Sequence, residues 1–157
     1  MRVKIRKATE EDAEAACHIV HRSVTELCEA DHQGDSEILS QWLDNKTPQN
    51  FRTWINDKRT YFLVAETDDC QLTAVAMASD SGEILLNYIS PDHRFQGISK
   101  TILSALEARL QQQEIKQITL ASTRTAQKFY RSVGYKTIPD LQKRGKLSCL
   151  SMVKELW

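Results

Sequence analysis

Hydrophobic and polar positions recur with two different periods, which divide the chain into helices and strands. Residues 2–6 alternate charged and apolar positions, as a half-buried strand does. From Thr9 to about residue 29 the apolar positions return every three or four residues, which predicts a helix with acidic residues in its first turn. The polar residues 31–35 predict a loop, and further short helices are expected to begin at Ser36 and at Thr47.

The second half of the chain predicts a sheet flanked by helices. Three apolar runs separated by polar turns indicate an antiparallel meander. The predicted strands are 61–66, 72–78, 83–90, 118–121, 135–138 and 147–153, and the predicted helices are 98–113 and 123–133, the second closed by Gly134. The strand–helix–strand order over residues 83–121 implies one parallel crossover. The fold class expected is therefore α/β, a three-layer sandwich around a central mixed, mostly antiparallel sheet, in the order β-α-α-β-β-β-α-β-α-β-β.

Composition and charge narrow the range of functions that the chain could have. The 157 residues fit one domain, 1–157, with 41% hydrophobic and 27% charged residues. Lysine plus arginine (21) equals aspartate plus glutamate (21), so no global field favours nucleic acid or an anionic membrane. No apolar run reaches the length of a membrane span, and the N-terminus lacks a signal-peptide pattern. The four cysteines are scattered, without a C-x-x-C pair, and are interpreted as free thiols in a cytoplasmic protein.

The segment 91–100 (PDHRFQGISK) carries the strongest chemical signal. Pro91 ends a strand, and the long helix begins near Gly97. Glycine and the small Ser99 leave the first backbone N–H groups of that helix uncovered, and such groups bind phosphate. Arg94 and Lys100 add positive charge beside them. The alternative is a plain loop whose glycine starts a helix.

Two motifs together resemble a known family. Arg94-x-x-Gly97-x-Ser99 is similar to the acyl-CoA pyrophosphate loop, Q/R-x-x-G-x-G/A, of the GNAT superfamily of N-acyltransferases. Residues 126–135 (AQKFYRSVGY) match its second pattern, A-x-x-F/Y-Y-x-x-x-G-F/Y, with one helix and one strand between the two, as the family requires. Ser99 replaces the usual glycine or alanine, and Thr123 replaces an asparagine common in the family.

The resemblance implies an acetyl-CoA site without a metal. Strands 83–90 and 118–121 should splay apart around the pantetheine arm, which would bond main-chain groups near Ile89 and Ser90, while the pyrophosphate lies on the N–H groups of residues 95–100. The implied cofactor-binding residues are Ile89, Ser90, Arg94, Phe95, Gln96, Gly97, Ile98, Ser99, Lys100, Ala126 and Phe129.

The resemblance also places Tyr130 at the departing thiolate as a general acid, where the alternative is a packing residue. A general base for the amine is less defined. Glu83 and Asn87 are expected to lie on one face of the same strand, since side chains alternate, and Glu83 can act directly or through water. Its alternative role is a solvated carboxylate at the start of the strand, and Glu66 is a comparable candidate.

Other polar groups are weaker candidates. Asp31 and His32, in the predicted loop 31–35, would line the acceptor pocket if the chain follows the family. His93 is expected to face solvent. Glu14, His18 and His21 share a helix face and could hold zinc, although a solvated face is the commoner outcome. Three aromatic residues are expected to form core or pocket wall rather than a nucleic-acid platform: Trp42, Phe51 and Trp54.

The resemblance thus implies a cytoplasmic N-acetyltransferase that transfers an acetyl group from acetyl-CoA to a primary amine of a small molecule or protein, by direct attack in a ternary complex. One alternative is a non-catalytic CoA-binding or sensor module. Another is an acylator of charged tRNA, which the zero net charge disfavours. Residues 25–60 carry no motif that identifies the amine. An exposed edge strand and the C-terminal Leu156-Trp157 are compatible with a homodimer.

Overall fold

The structure, a computed structural model, describes residues 2–144 and 147–156. The strands are Val3–Lys7 (β1), Thr60–Thr67 (β2), Leu72–Ser79 (β3), Ile84–Ile89 (β4), Gln117–Ser122 (β5), Lys136–Arg144 (β6) and Leu147–Glu155 (β7). The helices are Ala13–Leu27 (α1), Glu29–His32 (α2), Ser36–Leu43 (α3), Pro48–Asn56 (α4), Ile98–Gln112 (α5) and Arg124–Ser132 (α6), with 3₁₀ turns at Glu10–Asp12 and Pro91–His93. Within the described chain, no helix is long and apolar enough to cross a membrane.

The strands form two antiparallel sheets that touch at one point. One sheet has the order β1-β2-β3-β4 and the other the order β5-β7-β6. They meet at a parallel bridge between Glu83 and Thr119, where the Thr119 N–H donates to the Gly82 carbonyl at 3.0 Å. A Cβ on Gly82 would lie 2.6 Å from the Gln117 carbonyl oxygen, so only glycine permits this approach. The predicted fold class and its parallel crossover are confirmed.

Helices cover both faces of the first sheet and make three layers. Phe62 and Val64 point into a core under α1 and α4, while their neighbours Leu63 and Ala65 point into a second core under α5. This alternation follows from the two-residue period of a strand. The sheet is therefore buried on both sides, which explains why β2 and β3 are nearly continuous apolar runs.

A β-bulge interrupts the alternation in β4. Met77 of β3 pairs with Leu86, but the next residue, Ala78, pairs with Ile84, which leaves Leu85 as an extra residue. Ile84 consequently enters the α5-side core and Leu86 the α1-side core, although they are two positions apart. Every residue before the bulge therefore lies on the face of the sheet opposite to the one that regular alternation would give it.

The expectation that Glu83 and Asn87 share a strand face is therefore wrong. Four residues of regular strand would align them, but the extra residue between them reverses the phase. The pattern of side chains gave no sign of this, because apolar residues occupy positions 84, 85 and 86 alike.

The predicted loop 31–35 is also partly wrong. The N–H groups of Asp31 and His32 both donate to the Cys28 carbonyl, at 2.9 and 3.2 Å, and close a helical turn, α2. The chain then reverses at Gln33 and Gly34, both with positive φ. The sixth strand is longer than predicted, because its polar residues pair with β7 as far as Arg144. Trp157, named above for a dimer, lies outside the described residues.

Candidate active site

A cleft of about 490 Å³ opens where β4 and β5 diverge beyond the bridge. Its walls come from the end of α1, from both strands, from the segment between β4 and α5, and from α6. The two strands thus splay apart as predicted. All the cofactor-binding residues predicted above line the cleft except Ser90 and Gln96. The N–H of Ser90 is bonded to the Thr73 carbonyl at 2.7 Å.

Gly97 forms one end of the cleft as the N-cap of α5. Its φ of +78° is left-handed, and a Cβ placed there would meet nothing within 4 Å. The first hydrogen bond of the helix runs from the Thr101 N–H to the Gly97 carbonyl, at 3.1 Å. The N–H groups of residues 98–100 therefore have no intrahelical partner and face the end of the cleft at the positive pole of the helix. The residues present fit a phosphate group.

Tyr130 is buried in the cleft wall, with 6% of its surface exposed. Its hydroxyl oxygen accepts a hydrogen bond of 3.0 Å from the side-chain amide of Asn87. Burial raises the pKa of Tyr130 to about 12, an effect that this hydrogen bond partly offsets. The hydroxyl consequently stays protonated near neutral pH, and its own hydrogen is free to donate to another acceptor.

Two aromatic rings fix the Tyr130 ring in place. Phe129 and Tyr135 pack edge-on to it, with ring centroids 5.5 and 5.3 Å away. Tyr135 is itself held, because its hydroxyl donates to the Glu107 carboxylate at 2.7 Å and Lys154 donates to the same carboxylate at 3.1 Å. Burial and the adjacent Glu107 carboxylate raise the pKa of Tyr135. The start of β6 and strand β7 are thus fastened to α5 behind the phenol.

Two further lining side chains, Cys28 and Tyr88, are neutral. Burial raises the pKa of the Cys28 thiol to about 12 and also raises the pKa of Tyr88. The Tyr88 hydroxyl accepts a hydrogen bond of 3.1 Å from the indole of Trp42, which lies in the core and does not itself line the cleft. Among the lining side chains that the structure describes, none is a carboxylate.

The two predicted bases lie apart from the cleft. Glu66 accepts two hydrogen bonds from the Arg6 guanidinium, at 3.0 and 3.1 Å, which lower the pKa of Glu66 and occupy its carboxylate. Glu83 sits at the bridge between the sheets and does not line the cleft. Its role as a base stays a prediction, without support from the geometry.

Asp31 and His32 also do not line the cleft. The Asp31 carboxylate accepts from the backbone N–H groups of Arg124 and Thr125, at 2.6 and 3.1 Å, and so caps α6 from a distant part of the chain. Buried His32 accepts from the Gly34 N–H at 2.9 Å through Nδ1. Both side chains are occupied within the protein, and their contact with an acceptor stays a prediction.

The expectation that His93 faces solvent is wrong. It is 7% exposed, lines the cleft, and its buried Nδ1 has no hydrogen-bond partner. The Asp92 carboxylate binds Arg22 of α1 at 2.8 Å and draws the 3₁₀ turn against that helix. Ser90 followed by Pro91, a cap and a proline at the first helical position, was the sequence signal for this turn.

The zinc alternative finds no support in the geometry. His21 Nε2 lies 2.6 Å from the Lys46 carbonyl, and Glu14 forms an ion pair with Arg52 at 3.5 Å. Over residues 2–144 and 147–156, no three histidine, cysteine or acidic side chains come together as a metal site.

Comparison with known proteins identifies the family. The family model of the acetyltransferase (GNAT) domain matches residues 12–156. The chain therefore belongs to the GNAT acetyltransferase family, as the two motifs indicated. No curated protein matches the chain with significant sequence similarity.

Solved structures share the fold along the whole chain. The PaiA N-acetyltransferase from Thermoplasma acidophilum, in complex with coenzyme A, is 21% identical with a TM-score of 0.81, over 99% of each chain. A GCN5-related N-acetyltransferase from Rhodopseudomonas palustris is 19% identical with a TM-score of 0.86, over 99% of this chain and 96% of that one. The yncA structure from Salmonella typhimurium, with its cofactor acetyl-CoA, is 18% identical with a TM-score of 0.74, over 100% of this chain and 95% of that one.

Proposed function

We propose that the protein is an N-acetyltransferase that moves an acetyl group from acetyl-CoA to a primary amine. The observation that carries the proposal is one cleft with an uncovered helix N-terminus at one end and a buried, protonated phenol in its wall. Such a cleft holds a phosphate at one point and assists a departing group at another. The coenzyme A and acetyl-CoA present in two of the structures of similar fold support the same donor.

The N–H groups of residues 98–100 would hold the pyrophosphate, with Arg94 and Lys100 beside it. The arm of the donor would lie between β4 and β5. Because the Ser90 N–H points to β3, the alternation of a strand directs the N–H and carbonyl of Ile89 to the opposite side, toward β5. Ile89, rather than Ser90, therefore offers main-chain hydrogen bonds to the arm.

Tyr130 would donate its free hydrogen to the sulfur that leaves when the amine attacks the thioester. A phenol with a pKa of about 12 is a weaker acid than a thiol of about 8.5. Its contribution is thus a hydrogen bond that strengthens as negative charge develops, before a proton transfers completely. Asn87 holds the phenol oxygen so that this hydrogen points away from the amide.

Direct attack by the amine within a ternary complex fits the state of the cysteines. An acyl-enzyme route needs a thiolate, but the lining thiol Cys28 has its pKa raised to about 12 by burial. Cys17 and Cys149 are buried and do not line the cleft.

A screen of amines tests the proposal. Polyamines, amino acids, aminoglycosides and peptides with free N-termini are each incubated with acetyl-CoA, and thiol release is measured with and without protein. Release that depends on one class of amine, with the acetylated amine found by mass spectrometry, is the expected result. Thermal stabilisation by CoA without turnover of any amine would favour the non-catalytic CoA-binding module, and absence of both would contradict the proposal.

A further inference from the structure

Phe95 is unusual both in its exposure to solvent and in its backbone conformation. It is 92% exposed, the largest exposure of any large apolar side chain in the described residues. Its φ of +63° is left-handed, a region that bulky side chains rarely adopt. A strained backbone that presents an aromatic ring to water is typical of a residue whose partner is a ligand.

The surroundings of Phe95 indicate what that ligand is. The Arg94 guanidinium lies over the ring, 4.5 Å from its centroid. The contact orients the ring while the side chain remains almost fully exposed. Phe95 also lines the cleft and precedes the free N–H groups of residues 98–100 by three positions. The ring thus stands next to the phosphate position, beside two cationic side chains, Arg94 and Lys100.

A protein or membrane surface does not fit this arrangement. Such surfaces need a contiguous apolar patch, whereas in the described residues the other exposed large apolar side chain is Leu85, at 40%. A single ring among cations instead suits a planar group that is attached to a phosphate.

We propose that Phe95 stacks on the adenine base of the CoA donor and so discriminates the complete cofactor from its truncated forms. The proposal rests on the proposed function, because it needs CoA to be the donor. A pyrophosphate bound at the helix N-terminus, with the rest of the arm inside the cleft, would leave the adenosine half of the molecule directed out of the cleft, where Phe95 is exposed.

The stacking proposal is tested by combining a shortened ligand with a shortened side chain at position 95. Calorimetry measures the Kd of CoA and of 4′-phosphopantetheine, which lacks the adenosine, for the wild type, Phe95→Ala and Phe95→Tyr. Phe95→Ala is expected to raise the Kd of CoA about tenfold and to leave that of 4′-phosphopantetheine unchanged, because base stacking is lost only where a base is present. Phe95→Tyr keeps a stacking face and is expected to bind both ligands as the wild type does.

Each remaining outcome separates this proposal from the proposed function. An equal loss for both ligands, or no loss for either, overturns the stacking role while CoA remains the donor. A shift of Phe95→Ala to a lower oligomeric state by light scattering, with CoA affinity unchanged, assigns the ring to a contact between copies instead. Failure of the wild type to bind CoA contradicts the proposed function itself. A melting temperature near that of the wild type, expected for so exposed a side chain, shows that Phe95→Ala is folded.

Discussion

The side-chain amide of Asn87 donates a hydrogen bond of 3.0 Å to the hydroxyl oxygen of Tyr130, and so links β4 to α6 in the wall of the cleft. The geometry has a chemical consequence, because an amide that donates leaves the phenol hydrogen for another acceptor. It also makes β4, the strand with the bulge, responsible for orienting the group proposed as the acid.

Tyr130→Phe keeps the ring and its two aromatic contacts but removes the hydroxyl. We expect kcat to fall by about 10²-fold or more, within the range of general acids, with CoA affinity little changed. The loss should appear equally in kcat and kcat/KM, as for an interaction made only in the transition state. Tyr61→Phe, which removes a phenol hydroxyl that is not part of the cleft, is the control. Wild-type kcat in Tyr130→Phe would leave Tyr130 a packing residue.

Asn87→Ala tests whether the amide acts through Tyr130. Without the donated hydrogen bond the phenol loses its orientation, and we expect kcat to fall about tenfold, the equivalent of one hydrogen bond. In the Tyr130→Phe background the same substitution should have little effect, because the partner is already absent. Steady-state kinetics of the four proteins measure this coupling. Equal losses in both backgrounds would show that Asn87 acts on something other than Tyr130.

The pH dependence of kcat reports the state of the phenol. The protonated form is the proposed donor, and burial raises its pKa to about 12, so it is retained at pH values where an exposed tyrosine would ionise. We expect kcat to rise as the amine deprotonates, without a decline near pH 10 that is due to the phenol. A decline centred near pH 10, absent from the residual activity of Tyr130→Phe, would contradict the raised pKa.

Gly97→Asp and Gly97→Asn are a matched pair for the phosphate position. Both side chains have room, since a Cβ there meets nothing within 4 Å, and both residues tolerate a left-handed backbone at a cost of about 1 kcal/mol. Only aspartate adds a negative charge at the helix N-terminus. We expect CoA to stabilise Gly97→Asn but not Gly97→Asp in thermal-shift titrations. Equal stabilisation of the two variants would place the phosphate elsewhere.

Asp31 and Asp35 allow a helix cap next to the site to be compared with a helix cap elsewhere in the protein. Asp31 caps α6, while Asp35 accepts from the Glu37 and Ile38 N–H groups and caps α3. Replacing either by alanine should cost about 1 kcal/mol of unfolding free energy, measured in urea. Only Asp31→Ala is expected to lower kcat as well, because α6 carries Tyr130. If both variants retain wild-type kcat, the position of α6 does not depend on its cap.

The parts of the site that were predictable from sequence are those built from neighbouring residues. Gly97 and Arg94 lie within one short segment, and Tyr130 precedes Gly134 by one helical turn, so local patterns expose them. The parts that were missed depend on contacts between distant residues. Buried His93 follows Asp92, which pairs with Arg22 across 70 positions of sequence, and Asp31 caps a helix 93 residues away. No local period records such contacts.

The misplaced Glu83 has a different cause. A β-bulge adds a residue without changing composition, and in β4 it falls within an apolar run that fits either face. Alternation therefore predicts which face of the sheet each residue occupies only among residues on the same side of the bulge. A hydrogen bond such as the one between Asn87 and Tyr130 is visible only when both strand and helix are in place.

The cap that Asp31 provides also has a consequence for the order of folding. Helix α6 is nine residues long, and Thr123 at its N-terminus provides no side-chain cap. A helix this short is marginal by itself and needs tertiary support. Part of that support comes from Asp31, near the other end of the chain, so α6 is expected to gain stability when the N-terminal helices dock. A partly unfolded chain is thus expected to hold the Tyr130 phenol less firmly than the folded protein does.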